Sequence, residues 1–104
     1  MIFSLKGIVQ ELTPTYVVIE VNGVGYYVGI SLQTSQRLSL GKEVFLFTQQ
    51  IIREDAHLLF GFYTKEEKEM FNLLISVNGV GAVSALILLS SLDLKDIAQA
   101  ILNK

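Results

Sequence analysis

The sequence has no cysteine and no tryptophan, and only one proline (Pro14) and one histidine (His57) among 104 residues. Without cysteine there is neither a disulfide framework nor a thiolate metal site, a composition that suits a reducing cytoplasm. A lone histidine gives no His-pair metal site, and no nucleophile–base pair can be assembled around it. Ser84, Ser90 and Ser91 have no base near them in sequence. Basic residues are also few: eight Lys and Arg stand against ten Asp and Glu, for a net charge of −2 and a pI near 5.2. That balance argues against gripping nucleic acid through a broad basic face. No GxxxxGK[ST] loop is present, so ATP hydrolysis is not expected of this chain. Neither a metal nor a cofactor is expected, and there is no candidate catalytic residue.

Long apolar runs are missing as well. The strongest, Val80 to Leu89, has ten residues, against the roughly 20 needed to cross a bilayer as a helix. The opening MIFSLKGIVQEL lacks the pattern of a signal peptide, so a cytoplasmic protein with no membrane partner is expected. Yet 51% of the residues are hydrophobic and the mean hydropathy is +0.50. Such a surplus favours self-association.

The chain reads as two halves with different periods. Up to about Tyr63 it is strand-like: TYVVIEV, GYYVGIS, EVFLFTQQII and HLLFGFY are rich in Val, Ile, Tyr and Phe with partial alternation. Turn signals separate them at Thr13-Pro14, Asn22-Gly23, Leu40-Gly41-Lys42 and Arg53-Glu54-Asp55. About five short strands at this spacing predict a small barrel, of which the OB-fold is the common five-stranded type. At Thr64 the period changes. TKEE fits a capping box, the Thr64 hydroxyl accepting from the Glu67 N–H while the Glu67 carboxylate reaches back. Met70, Phe71, Leu74 and Ile75 then mark one helix face, running to about Val77. KEEKE (Lys65 to Glu69) reads as a solvated face. A second, largely apolar helix follows from about Ala82, and a third is expected from Asp93, carrying Ile97, Ala98, Ile101 and Leu102. The predicted class is therefore α+β, with a five-stranded OB barrel over 1–63 and a small helical domain over 64–104.

The pentapeptide VNGVG occurs twice, at 21–25 and 77–81. The first copy lies between two alternating runs, where Asn-Gly is a strong hairpin signal; Gly25 there suggests a bulge or a close strand approach. The second copy lies between helices. There the glycines permit a tight reversal, and the first N–H groups of the next helix have no intrahelical partner. Together with the N–H groups of the turn they could hold a phosphate oxygen without any lysine. The plain alternative is an ordinary helix–helix connection. Just past the turn, where a basic residue is often expected, stands Val83. Tyr26 and Tyr27 are candidates either for stacking on bases or for packing in the barrel.

The motifs MIFSLKGIV, VNGVGYYV, IIREDAHLLFGF and TKEEKEMFNLLISVNGVG, in this order and over essentially the whole chain, resemble the RuvA family of Holliday junction branch migration subunits. The resemblance implies a non-enzymatic homotetramer, or an octamer on DNA, that holds a four-way junction open for the partner ATPase RuvB, with the resolvase RuvC a further partner. It implies that the backbone of Asn78, Gly79, Val80 and Gly81 binds DNA, and that Glu54 and Asp55 form an acidic pin at the crossover. Arg53 beside them would reach a phosphate or pair with Glu54. By the same resemblance a second helix-hairpin-helix and a RuvB-binding domain would follow Lys104, so the chain is expected to be a truncated or naturally short form. The alternative function is an oligomerising protein–protein module, an OB barrel that binds no DNA itself.

Overall fold

The computed structural model describes residues 1–91; the third helix expected from Asp93 lies outside the described residues. Five strands are present: β1 (Ser4–Leu12), β2 (Tyr16–Val21), β3 (Val24–Gly29), β4 (Glu43–Ile52) and β5 (His57–Phe62). They close into a barrel in the order β1-β2-β3-β5-β4, the expected OB-type arrangement within an α+β fold. Alternation explains the inner lining. Val17 and Ile19 of β2 point inward with Val9, Val28 and Leu46, all at most 1% exposed, while Val18 and Glu20 lie toward the outside. Burying each such side chain contributes about 1.5–3 kcal/mol.

Four of the five strand junctions are antiparallel ladders; the fifth, between β3 and β5, is parallel and rests on one pairing, Gly29 with Phe60. A Cβ on Gly29 would come within 2.9 Å of the Phe60 ring, so glycine is what lets the two strands meet. The expected bulge at Gly25 is not there. Gly25 pairs regularly with Glu20, and the irregularity falls in β1 between Val9 and Glu11. Gly25 serves the other expectation, close approach: a Cβ there would crowd Gln10 and Val18 at 3.2 and 3.3 Å.

Between β3 and β4 runs a short helix that periodicity did not predict, α1 (Leu32–Gln36), started by Ser31, whose side chain accepts from the Thr34 N–H. After β5 come α2 (Lys65–Ser76) and α3 (Ala82–Ser91). Thr64 caps α2 as expected, accepting from the Glu67 N–H at 3.1 Å. The other arm of the capping box does not form, and KEEKE is not wholly solvated, because Glu67 is only 6% exposed. Its carboxylate turns away from its own helix toward α1. Phe60 and Phe62 of the barrel share a second core with Met70, Phe71, Leu74, Ala85 and Leu89 of the helices. The absence of a linker is thus matched by direct packing of the two halves. The apolar character of α3 all round leaves Val83 and Ile87 on the surface, 69% and 59% exposed. No helix among the described residues is long and apolar enough to cross a membrane.

Candidate nucleic-acid interface

α2 ends at Ser76 and is capped by Val77, whose N–H donates to the Leu74 carbonyl at 3.1 Å. The chain reverses over Val77 to Val80, closed by the Val80 N–H donating to the Val77 carbonyl at 3.1 Å. Gly79 has φ +88°, whereas Asn78 is not among the positive-φ residues, so only the third residue of the turn is left-handed, as in a type II turn. α3 then starts at Ala82, and the first carbonyl it uses is that of Gly81, which accepts from Ala85 at 2.9 Å. Among the described residues, the N–H groups of Asn78, Gly79, Gly81, Ala82, Val83 and Ser84 have no hydrogen-bond acceptor. Gly79, Gly81 and Val83 are exposed.

Of the four hairpin residues singled out in the sequence, the structure therefore brings all to one turn but gives them different duties. Val80 spends its N–H on closing the turn, and the open donors lie on Asn78, on Gly79, on Gly81 and on the three residues after it. Gly81 is informative in another way. Its φ is not left-handed, and a Cβ built on it would meet nothing within 4 Å. Neither the turn nor the packing requires glycine here, whereas close approach of a ligand to the backbone would. The Val83 side chain points into solvent and contributes no charge, so the electrostatics of this turn are those of backbone dipoles.

Glu54 and Asp55 form the two-residue tip of the β4–β5 hairpin. The tip is closed by the Arg53 N–H donating to the Ala56 carbonyl at 2.7 Å. Both carboxylates are exposed, as is Arg53. Among the described residues Arg53 makes no ion pair, the single salt bridge being Lys6 with Glu43 at 4.0 Å on the surface. The Glu54–Asp55 tip and the helical turn thus lie on separate elements, one at the end of a strand ribbon and the other at the far end of α2.

Other candidates take structural places. Tyr26 is half-buried against the barrel core. Tyr27 is exposed, but one ring face is covered by Tyr16, with centroids 4.5 Å apart and planes 22° apart. The Tyr16 hydroxyl donates to Glu11 at 2.6 Å, and that bond raises the Tyr16 pKa above its ordinary value. His57 is exposed at the start of β5. Lys68 rests its ammonium 3.8 Å from the Phe3 ring centroid; partial desolvation, and then Lys65 nearby, hold its pKa below the usual lysine range. An apolar groove of about 520 Å³ runs between Tyr27, Leu32, Phe60, Val83, Leu86 and Ile87. It is the surface expression of the hydrophobic surplus. Periodicity missed it because exposed and buried apolar residues on α3 look alike in sequence.

A closed five-stranded OB barrel carrying a helical hairpin with open amides at its turn defines an OB-fold, helix-hairpin-helix protein. Comparison with known families agrees and goes further: the chain belongs to the RuvA N-terminal domain family, which matches residues 1–61. Similarity to curated relatives extends over the helices as well. The Holliday junction branch migration complex subunit RuvA of Christiangramia forsetii is 47% identical over 104 residues, all of this chain and 54% of the relative. The proteins of the same name from Neisseria meningitidis and Flavobacterium psychrophilum are each 52% identical over 97% of this chain, covering 53% and 52% of their own lengths. The chain spans about half the length of the curated relatives it matches.

Proposed function

We propose that this chain binds four-way junction DNA without reading its sequence, as part of a tetrameric, cytoplasmic scaffold for branch migration in recombination and repair. The open N–H groups at Asn78, Gly79, Gly81, Ala82, Val83 and Ser84, beside a glycine that the fold itself does not require, carry this reading. Backbone amides at a helix start hold phosphate and read no bases. They also account for DNA binding by an acidic chain: the donors carry no net charge, so pI is a poor guide to them. The relatives' names supply the junction, with RuvB and RuvC as the partners expected for the whole complex. Division of labour follows the two halves, a barrel over 1–63 and a hairpin domain over 64–104.

In this reading Glu54 and Asp55 guide strands rather than hold them. Adjacent exposed carboxylates, repeated around a four-fold axis, repel phosphates within about a Debye length, roughly 8 Å at physiological salt. Arg53 contributes a phosphate contact next to them. The exposed groove beside α3 and the surplus apolar surface support self-assembly. They equally support the second reading, an assembly module that binds no DNA.

Gel-shift titration of a four-way junction against linear duplex of equal length tests the proposal. Tighter junction binding is expected, and equal affinity would overturn the junction-specific reading. Replacing Glu54 by Gln and Asp55 by Asn is expected to keep or tighten junction affinity and to change stability by no more than about 0.5 kcal/mol. A clear loss of affinity would remove the repulsive role.

A further inference from the structure

Glu67 is the only charged side chain buried among the described residues. Its Oε2 accepts from Ser31 Oγ at 2.7 Å and its Oε1 from Thr34 Oγ1 at 2.5 Å. Ser31 Oγ in turn accepts from the Thr34 N–H at 3.2 Å, and Thr34 Oγ1 accepts from the Tyr63 N–H at 3.3 Å. The Glu67 N–H donates to Thr64 Oγ1. Five hydrogen bonds thus tie the start of α1, the Tyr63–Thr64 crossing from barrel to helices, and the first turn of α2. On the other side of α1, Ser90 of α3 accepts from the Leu32 N–H at 2.9 Å, and its carbonyl accepts from Gln33 Nε2 at 3.1 Å. α1 is a bracket on the barrel that grips both helices of the hairpin.

A buried carboxylate is costly unless its oxygens are satisfied, and a bond back to the Thr64 N–H would have satisfied it locally. Spending it on Ser31 and Thr34 gains direction instead. The shared apolar core holds the helices against the barrel, but hydrophobic contact is non-directional, whereas hydrogen bonds fix an angle. α2, of 12 residues, is about 18 Å long. A tilt of about 10° at its base would move the hairpin turn by about 3 Å over that length, more than a phosphate hydrogen bond tolerates.

The geometry points to Glu67 as a positioning residue that sets the preference for junction over duplex, by fixing the hairpin amides relative to the Glu54–Asp55 tip. This rests on the proposed function: a duplex engages the hairpin alone, while a junction must sit on the hairpin with the repulsive tip at its open centre, clear of its phosphates. Losing the angle therefore penalises the junction selectively.

The test uses the full chain, with Glu67→Ala and Glu67→Gln, and affinities measured for junction and for duplex. Glu67→Ala is expected to lower junction affinity about tenfold, about 1.4 kcal/mol, and duplex affinity less than twofold. Glu67→Gln can accept from one hydroxyl and donate to the other, and is expected to restore junction affinity to within about threefold of the parent. A structural readout runs without DNA. Because the described residues include no cysteine, spin labels at Gln10→Cys and Ser84→Cys report the barrel-to-hairpin distance once labelled chains are diluted with unlabelled ones. One narrow distance is expected for the parent and a broadened one for Glu67→Ala. Should Glu67→Ala fail to fold, Thr34→Val removes one of the two donors and carries the same expectation at about threefold. An unchanged junction-to-duplex ratio, or equal losses on both DNAs, in a parent that prefers junctions overturns the assignment alone. A parent that binds both DNAs equally overturns the functional reading, and the role of Glu67 in specificity falls with it.

Discussion

The same seven letters apart from one, IEVNGVG and ISVNGVG, build two different turns in this molecule. At 21–25 both Asn22 (φ 51°) and Gly23 (φ 87°) are left-handed, the pattern of a type I′ turn whose twist matches the flanking strands. At 77–81 only Gly79 is left-handed, because the turn must join two helices and not two paired strands. The preceding residue separates them further. Glu20 places a carboxylate oxygen 3.2 Å from the Gly23 N–H, so the strand turn is already occupied by an anion of its own. Its counterpart Ser76 donates to the Leu73 carbonyl at 2.6 Å and ignores the turn. One copy carries its own negative charge, and the other leaves its amides open to someone else's.

The contrast can be broken at defined points. Gly79→Pro is expected to have the largest effect, since proline holds φ near −65° and cannot adopt the observed +88°. Junction affinity should fall more than tenfold, with the circular dichroism of the barrel preserved. Retained binding would move the phosphate site elsewhere. Ser76→Glu imports the acid of the first copy into the second. A drop of about five- to tenfold in DNA affinity is expected, about 1–1.4 kcal/mol, easing as salt is raised; no change would show that the turn does not face phosphate. Two smaller substitutions sharpen the difference. Gly23→Ala should cost about 1–2 kcal/mol of stability in a denaturant titration, because L-residues pay that to be left-handed, and leave DNA affinity alone. Gly81→Ala should do the opposite. It has room and an ordinary φ, so stability should hold or rise by about 0.4–1 kcal/mol, while affinity declines two- to threefold as the methyl crowds the phosphate.

Much of the barrel was legible because alternation and turn residues act locally. EVFLFTQQII is β4 residue for residue, and Asn22-Gly23 is the hairpin it promised. The start of α2 was legible from Thr64 for the same reason. α1 was not, since a five-residue helix spans little more than one turn and gives no period to detect. Glu67 was misplaced because its partners, Ser31 and Thr34, lie 36 and 33 residues away, and a charged residue in KEEKE looks solvated until they are in view. At the candidate site, the location of the turn could be read from the glycines. Which amides it leaves open could not, because that depends on which four residues close the turn, and the glycine pattern does not say that the Val80 N–H is the one donated.

The single pairing between β3 and β5 has a practical consequence. Phe60, which makes that pairing, belongs to the core it shares with Phe71 and the helices. The ring of strands is therefore clasped by a residue whose packing lies on the helical side. Cutting the chain after Tyr63, where strand pattern gives way to helix, would release the clasp. The product would be a five-stranded sheet with two bare edges, prone to pair with copies of itself.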